Sequence, residues 1–109
     1  MSGELAGRLD QRIAIERPST ARTESGLQTA GWELVARCLA AIEPEGAGAE
    51  SQAMALSAMP RFRVTLRVRD DVTVGHRLLW KERVLTVRQR IDDPRLKDRM
   101  VLRCEDARG

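Results

Sequence analysis

Residues 61–69 alternate without a fault: Arg61, Arg63, Thr65, Arg67 and Arg69 fall on one side of an extended chain, and Phe62, Val64, Leu66 and Val68 on the other. Wound into a helix, this period of two would scatter the apolar residues around the axis, so the segment is a β-strand with one buried and one wet face. Such a strand belongs to an antiparallel sheet, because parallel strands are covered on both faces and read as unbroken apolar runs. The rest of the chain repeats the pattern. Residues 11–17 set Ile13 and Ile15 on one side, and residues 32–42 set Trp32, Leu34, Ala36, Cys38, Ala40 and Ile42 on one face with Glu33 and Arg37 opposite. Residues 76–80 and 84–90 are short strands joined tightly through Lys81-Glu82-Arg83. Residues 99–105 alternate Met100, Leu102 and Cys104 against Arg99, Val101 and Arg103.

Turn residues separate these strands: Asp70-Asp71 with Gly75, and Asp92-Asp93-Pro94. Residues 18–31, rich in Ser, Thr and Gly, read as a loop or wide hairpin connection with Ser25-Gly26 as its turn. Residues 43–60 are mostly small and contain no β-branched side chain, which predicts either a long loop or a short helix over 49–58. A loop this long inside a small domain is more often functional or disordered than neutral. Six strands with such spacing predict an all-β chain, a small closed or partly open β-barrel of about six antiparallel strands. The 109 residues make one domain, 1–109. With one Phe, two Trp and no Tyr, aliphatic side chains must fill its core.

The net charge of +3 hides an asymmetry: residues 1–60 carry −3, residues 61–103 carry +7, and the last six carry −1. Seventeen of the nineteen basic residues are arginine, whose forked guanidinium suits carboxylates and phosphates. The arginine side of residues 61–69 is therefore either a solvated face balanced by neighbouring acids or a binding face for DNA or another subunit. Single-strand binding barrels add aromatic platforms to such a face, and here Phe62 falls on the core side.

Catalytic chemistry is hard to place. His76 is the lone histidine and stands in no motif, and Asp70-Asp71 and Asp92-Asp93 point to opposite sides of an extended chain, so they read as turn residues. Cys38 and Cys104 lack the close partners of a zinc or thioredoxin motif and read as a reduced, cytosolic pair. No apolar leader or membrane-spanning run is present, and neither cofactor nor metal is expected.

Read in order, Gly7, Leu9, Arg12, Ile13 and Ile15 followed by Glu16-Arg17, then Gly26 and Trp32, then Ala40, Ile42 and Pro44 form a series. Gly48 and Glu50, the strand end Val64-Thr65-Leu66-Arg67, Asp92-Asp93-Pro94 and the ending Leu102, Cys104, Glu105 continue it. This series resembles the phage head-tail adaptor, or head-closure (stopper), proteins of long-tailed phages and gene transfer agents, over most of the chain. The chain differs from the usual pattern in carrying Glu82-Arg83 where a Gly-Arg hairpin is customary.

The resemblance implies a structural, non-enzymatic virion component made in the bacterial cytoplasm. It would form a six- or twelve-fold ring in the neck, between portal or adaptor proteins and the tail terminator or tail tube, and retain packaged double-stranded DNA. It implies that the loop 43–60, with Glu45, Gly46, Gly48, Glu50, Met54 and Leu56, faces the channel. It also implies that an N-terminal strand with Leu9, Arg12 and Arg17 docks on a neighbour. Arg61, Arg63, Arg67 and Arg69 would face DNA or the adjoining subunit, where Glu33, Glu43 or Glu45 could meet Arg63 and Arg67. The competing readings are a neighbouring connector component, adaptor or tail terminator, and a small nucleic-acid-binding β-barrel.

Overall fold

The computed structural model describes residues 5, 7–22, 28–45 and 60–107. Six strands run through them: β1 (Gln11–Arg22), β2 (Gln28–Pro44), β3 (Arg61–Arg67), β4 (Arg77–Trp80), β5 (Arg83–Ile91) and β6 (Arg99–Asp106). They close into an antiparallel barrel in the order β1-β2-β3-β6-β5-β4, as expected from the alternation. The expected short helix over 49–58 and the Ser25-Gly26 turn lie outside the described residues.

Inside the barrel, Ile13 and Ile15 cluster with Ala40, Phe62, Val64, Leu66, Leu78, Leu85, Val87, Met100, Leu102 and Cys104, and with Val72 from the connection between β3 and β4. The core is aliphatic because the chain supplies little else, and Cys104 acts in it as a small apolar residue. Two aromatic rings meet at its margin, Phe62 and Trp80 edge to face at 5.6 Å. Trp80 donates its indole N–H to Gln11 Oε1 at 2.9 Å, so its one polar atom is satisfied. Nearby, the buried Asp106 accepts a 2.6 Å bond from Arg83, whose guanidinium lies over Phe62.

Three expectations are corrected. First, residues 18–31 are not mainly loop: β1 and β2 continue as a two-stranded ribbon in which Arg17–Arg22 pair only with Gln28–Glu33. Second, the face from Trp32 to Ile42 is broken by a bulge, because Ile15 faces Ala36 while Glu16 faces Leu34, leaving Val35 as the extra residue. Ala36, Cys38, Ala40 and Ile42 keep the inward parity of Ile13 and Ile15, and Val35 packs against the core. Beyond the bulge, Trp32 and Leu34 face outward, with Trp32 42% exposed. Third, β3 ends at Arg67 and not Arg69. Val68 still donates its N–H to the Asp98 carbonyl at 3.2 Å, at the next position of the β3–β6 register, but its side chain is exposed and joins no core.

Turn chemistry explains the remaining connections. Gly75 takes a φ of 95° before β4, and Lys81 takes a φ of 54° in the two-residue link between Trp80 and Arg83. The glycine customary in the resembled pattern falls at the next residue of that link, Glu82. Asp71 and Asp92 each accept two bonds from the arginine two residues earlier, Arg69 and Arg90, so the acidic pairs act as turn residues.

Cys104 lies in the barrel wall, 1% exposed, and burial pushes its thiol up to about 12. Burial also raises the half-buried Cys38, against the opposing charge of Arg69. Folding favours the neutral Cys104 thiol, so that part of the stability is complete below the ordinary value near 9 and is lost as pH rises towards about 12. Iodoacetamide at pH 8 should therefore modify Cys104 only as fast as the chain unfolds, with Cys38 reacting first, a sequence that peptide mass spectrometry follows. Alkylation of Cys104 at the rate of a free thiol in the folded protein would contradict its burial.

Candidate connector surface

The outward face of β2, β3 and β6 carries the arginines singled out from the alternation. At its lower end Arg61 faces Glu105 across β3–β6 and approaches it at 3.9 Å, while Arg88, projected by a bulge between Val87 and Gln89, reaches the same carboxylate at 2.6 Å. Arg103 pairs with Glu45 at 3.2 Å, and Arg8 with Glu43 at 3.5 Å. Exposed pairs of this kind contribute at most about 1 kcal/mol each. Their effect is geometric: they brace the point where the chain leaves β2 and returns to β3. There the Glu45 N–H donates to the Arg61 carbonyl at 2.9 Å and the Asp106 N–H to the Pro60 carbonyl at 2.8 Å. Both ends of segment 46–59 are thereby held at one rim of the barrel. Gly46, Gly48, Glu50, Met54 and Leu56 belong to that segment and lie outside the described residues.

Arg63 and Arg67 behave differently. Arg63 stands opposite Arg103 on β6, Arg67 opposite Arg99, and neither makes an ion pair among the described residues. Like charges placed directly across a ladder oppose folding. Arg69, expected in the same face, has turned away to bond Asp71 at 2.9 and 3.0 Å. The acids suggested as partners for Arg63 and Arg67 are already engaged within the chain: Glu33 by Arg17 at 3.1 Å, Glu43 by Arg8 and Glu45 by Arg103.

Thr65 is the one interruption in the arginine face, and it is 3% exposed although it points out of the barrel. It faces Ala41 across β2–β3, and Ala41 forms a second small cluster with Leu5 and Leu9. A helical turn closed by the Leu9 N–H on the Leu5 carbonyl at 3.1 Å brings both leucines onto the outer wall. Leu9 therefore precedes β1 and is buried against its own barrel. Of the N-terminal residues singled out with it, Arg12 and Arg17 do lie on β1 and are exposed. The i, i+4 spacing of Leu5 and Leu9, together with a small residue in an arginine row, was the signal available for this strap.

On the opposite flank, the outward Trp32 is covered by the Arg77 guanidinium at 4.2 Å from its ring centre, and Arg77 bonds Glu16 at 2.7 Å. Glu16 and Arg77 are also a register pair of the β1–β4 seam, which spans only Ala14–Glu16. His76, just before β4, accepts a long 3.4 Å bond from the Thr73 N–H, and its partial burial and the nearby Arg17 push it below its ordinary value. Among the described residues no three metal-ligating side chains come together.

The family model for the phage head completion protein matches residues 5–107. No curated protein matches the chain. Among solved structures, the protein SF1141 from Shigella flexneri 2a superposes with a TM-score of 0.71 at 23% identity, covering 93% of this chain and 95% of that one. A chain of the virion of a native gene transfer agent particle superposes with a TM-score of 0.62 at 11% identity, covering 94% and 98%. At these identities the superpositions establish a shared barrel fold.

Proposed function

Because the chain belongs to the phage head completion protein family, a family of structural phage proteins, we propose that it closes the filled head as a ring in the neck of a phage or phage-like particle. In that position it joins portal or adaptor proteins to the tail and retains packaged DNA. The observation that carries this reading is the family match over nearly the whole barrel. Two features support it. Segment 46–59 is tethered at both ends to one braced rim, which suits a loop directed into a channel. Arg63 and Arg67 remain without ion pairs among the described residues, which suits a head-to-tail contact between neighbouring subunits of a ring.

The test is electron microscopy of particles from cells lacking this gene, after a gradient separates heads from tails. Free tails beside heads that have lost their DNA are the expected result. Joined, DNA-filled particles would overturn the reading and return the arginine face to the nucleic-acid alternative.

A further inference from the structure

A barrel removes sheet edges only where its strands stay paired. β2 is 17 residues long, yet β3 pairs with it only from Ala40 to Pro44. From Trp32 to Leu39 its other side has no strand and no backbone bond among the described residues. A free row of N–H and C=O groups is a template for another strand, and proteins usually blunt such edges with Pro, Lys or a bulge. The free side of β1 is blunted in that way, by Pro18. The free side of β2 past the bulge at Val35, Ala36-Arg37-Cys38-Leu39, carries neither Pro nor Lys.

Where β3 ends, the chain turns off towards β6 and leaves a wedge lined by Leu9, Cys38, Leu39, Arg67 and Arg69. Leu39 is 47% exposed there and faces Arg12 across β1–β2. On its other side the ladder stops at Ala40 and Leu66, so Arg67 is the next residue. Arg12, Arg37 and Arg67 have no ion pair among the described residues, whereas Arg8, Arg17, Arg61, Arg69, Arg77 and Arg83 do. An apolar side chain on an open strand edge, ringed by uncompensated guanidinium groups, is complementary to an extended chain carrying carboxylates.

We propose that the free edge of β2 at Ala36–Leu39 takes up an extended acidic segment of a partner polypeptide as an added strand. The backbone of Ala36–Leu39 bonds the incoming strand, Leu39 packs under one of its apolar side chains, and Arg12, Arg37 and Arg67 meet its carboxylates. A peptide is favoured over nucleic acid because a phosphodiester chain cannot continue a β-ladder and has no use for the exposed Leu39. This inference does not rest on the ring or on the DNA-retaining loop.

The experiment titrates the full chain with a capped peptide of about six residues, the length of an ordinary strand, with Glu, Val and Glu at alternate positions on one face and Thr on the other. Amide hydrogen exchange is read residue by residue. Exchange should slow at Ala36–Leu39, and Arg37→Glu should weaken binding by about tenfold or more. The same peptide with alternate amides N-methylated should lose binding to a similar degree. Absence of protection at Ala36–Leu39 would overturn the proposal, as would equal binding by the N-methylated peptide, which would reduce the contact to charge alone. Tighter protection of the same residues by a short DNA duplex would assign the groove to nucleic acid and overturn it too.

Discussion

Leu102→Ala should lower the free energy of unfolding by about 3–4 kcal/mol, the cost of deleting a fully buried leucine and leaving its cavity. Leu102 is wholly buried in β6, faces Val64 on β3 and is flanked on its other side by β5, so three strands lose contact at once. For a chain of this size the loss corresponds to a fall of roughly 15 °C in Tm. It removes a large part of the 5–15 kcal/mol or so that holds a typical domain folded. Leu39→Ala, at an exposed position, should change stability by no more than about 0.5 kcal/mol and serves as the control. Thermal and urea unfolding of the two variants side by side makes the comparison. A loss below about 1 kcal/mol at Leu102 would mean that the barrel collapses around the deleted side chain, contrary to this expectation.

The double substitution Arg63→Glu, Arg67→Glu should have the opposite signature, a large effect on assembly and none on folding. Each arginine faces another across β3–β6, and neither forms an ion pair among the described residues. Reversing both replaces two like-charge pairs across β3–β6 with opposite-charge pairs, while Arg63→Glu sets a carboxylate opposite Glu43 on β2. These exposed terms offset one another, so the isolated domain should keep its Tm to within about 1 kcal/mol. If these guanidinium groups meet a neighbouring subunit, incorporation into particles should fall by an order of magnitude or more, as expected when a close charge pair at an interface is turned into repulsion. Quantifying the protein in purified particles beside the melting curve of the free chain separates the two effects. Unchanged incorporation would assign Arg63 and Arg67 to a solvated face, and a lowered Tm would mean that the fold uses them after all.

Much of this architecture is legible in the residues. The strand of Arg61–Arg67 is readable because nothing competes with a period of two, and six such runs in one short chain leave a barrel as the economical closure. The ends are harder to see. Ser, Thr and Gly in residues 18–31 mimic a loop because no apolar alternation runs through them, and the pairing of 18–22 with 28–32 shows only in the partner strand. The bulge at Val35 is invisible because alternation on either side of it looks continuous, and only the partner strand reveals the slip that turns Trp32 and Leu34 outward. For the surface, the arginine face is readable from one strand, but which of its members are compensated depends on what stands opposite. Arg63 and Arg69 have the same parity in the sequence and opposite fates in three dimensions. The resemblance to head-closure proteins, by contrast, rests on short motifs in order and is supported by a family match over residues 5–107.

The braced rim at Glu45 and Pro60 has a bearing on how such a chain can change over time. Once the two ends of a segment are fixed by the fold, lengthening it adds only a logarithmic entropy, about 0.6 kcal/mol for each doubling. Residues 46–59 hang from that rim, where backbone bonds and flanking arginine–carboxylate pairs set the take-off points. The six strands bond one another around the core formed by the described residues, so a change in the length of that segment should cost the fold little beyond this closure entropy.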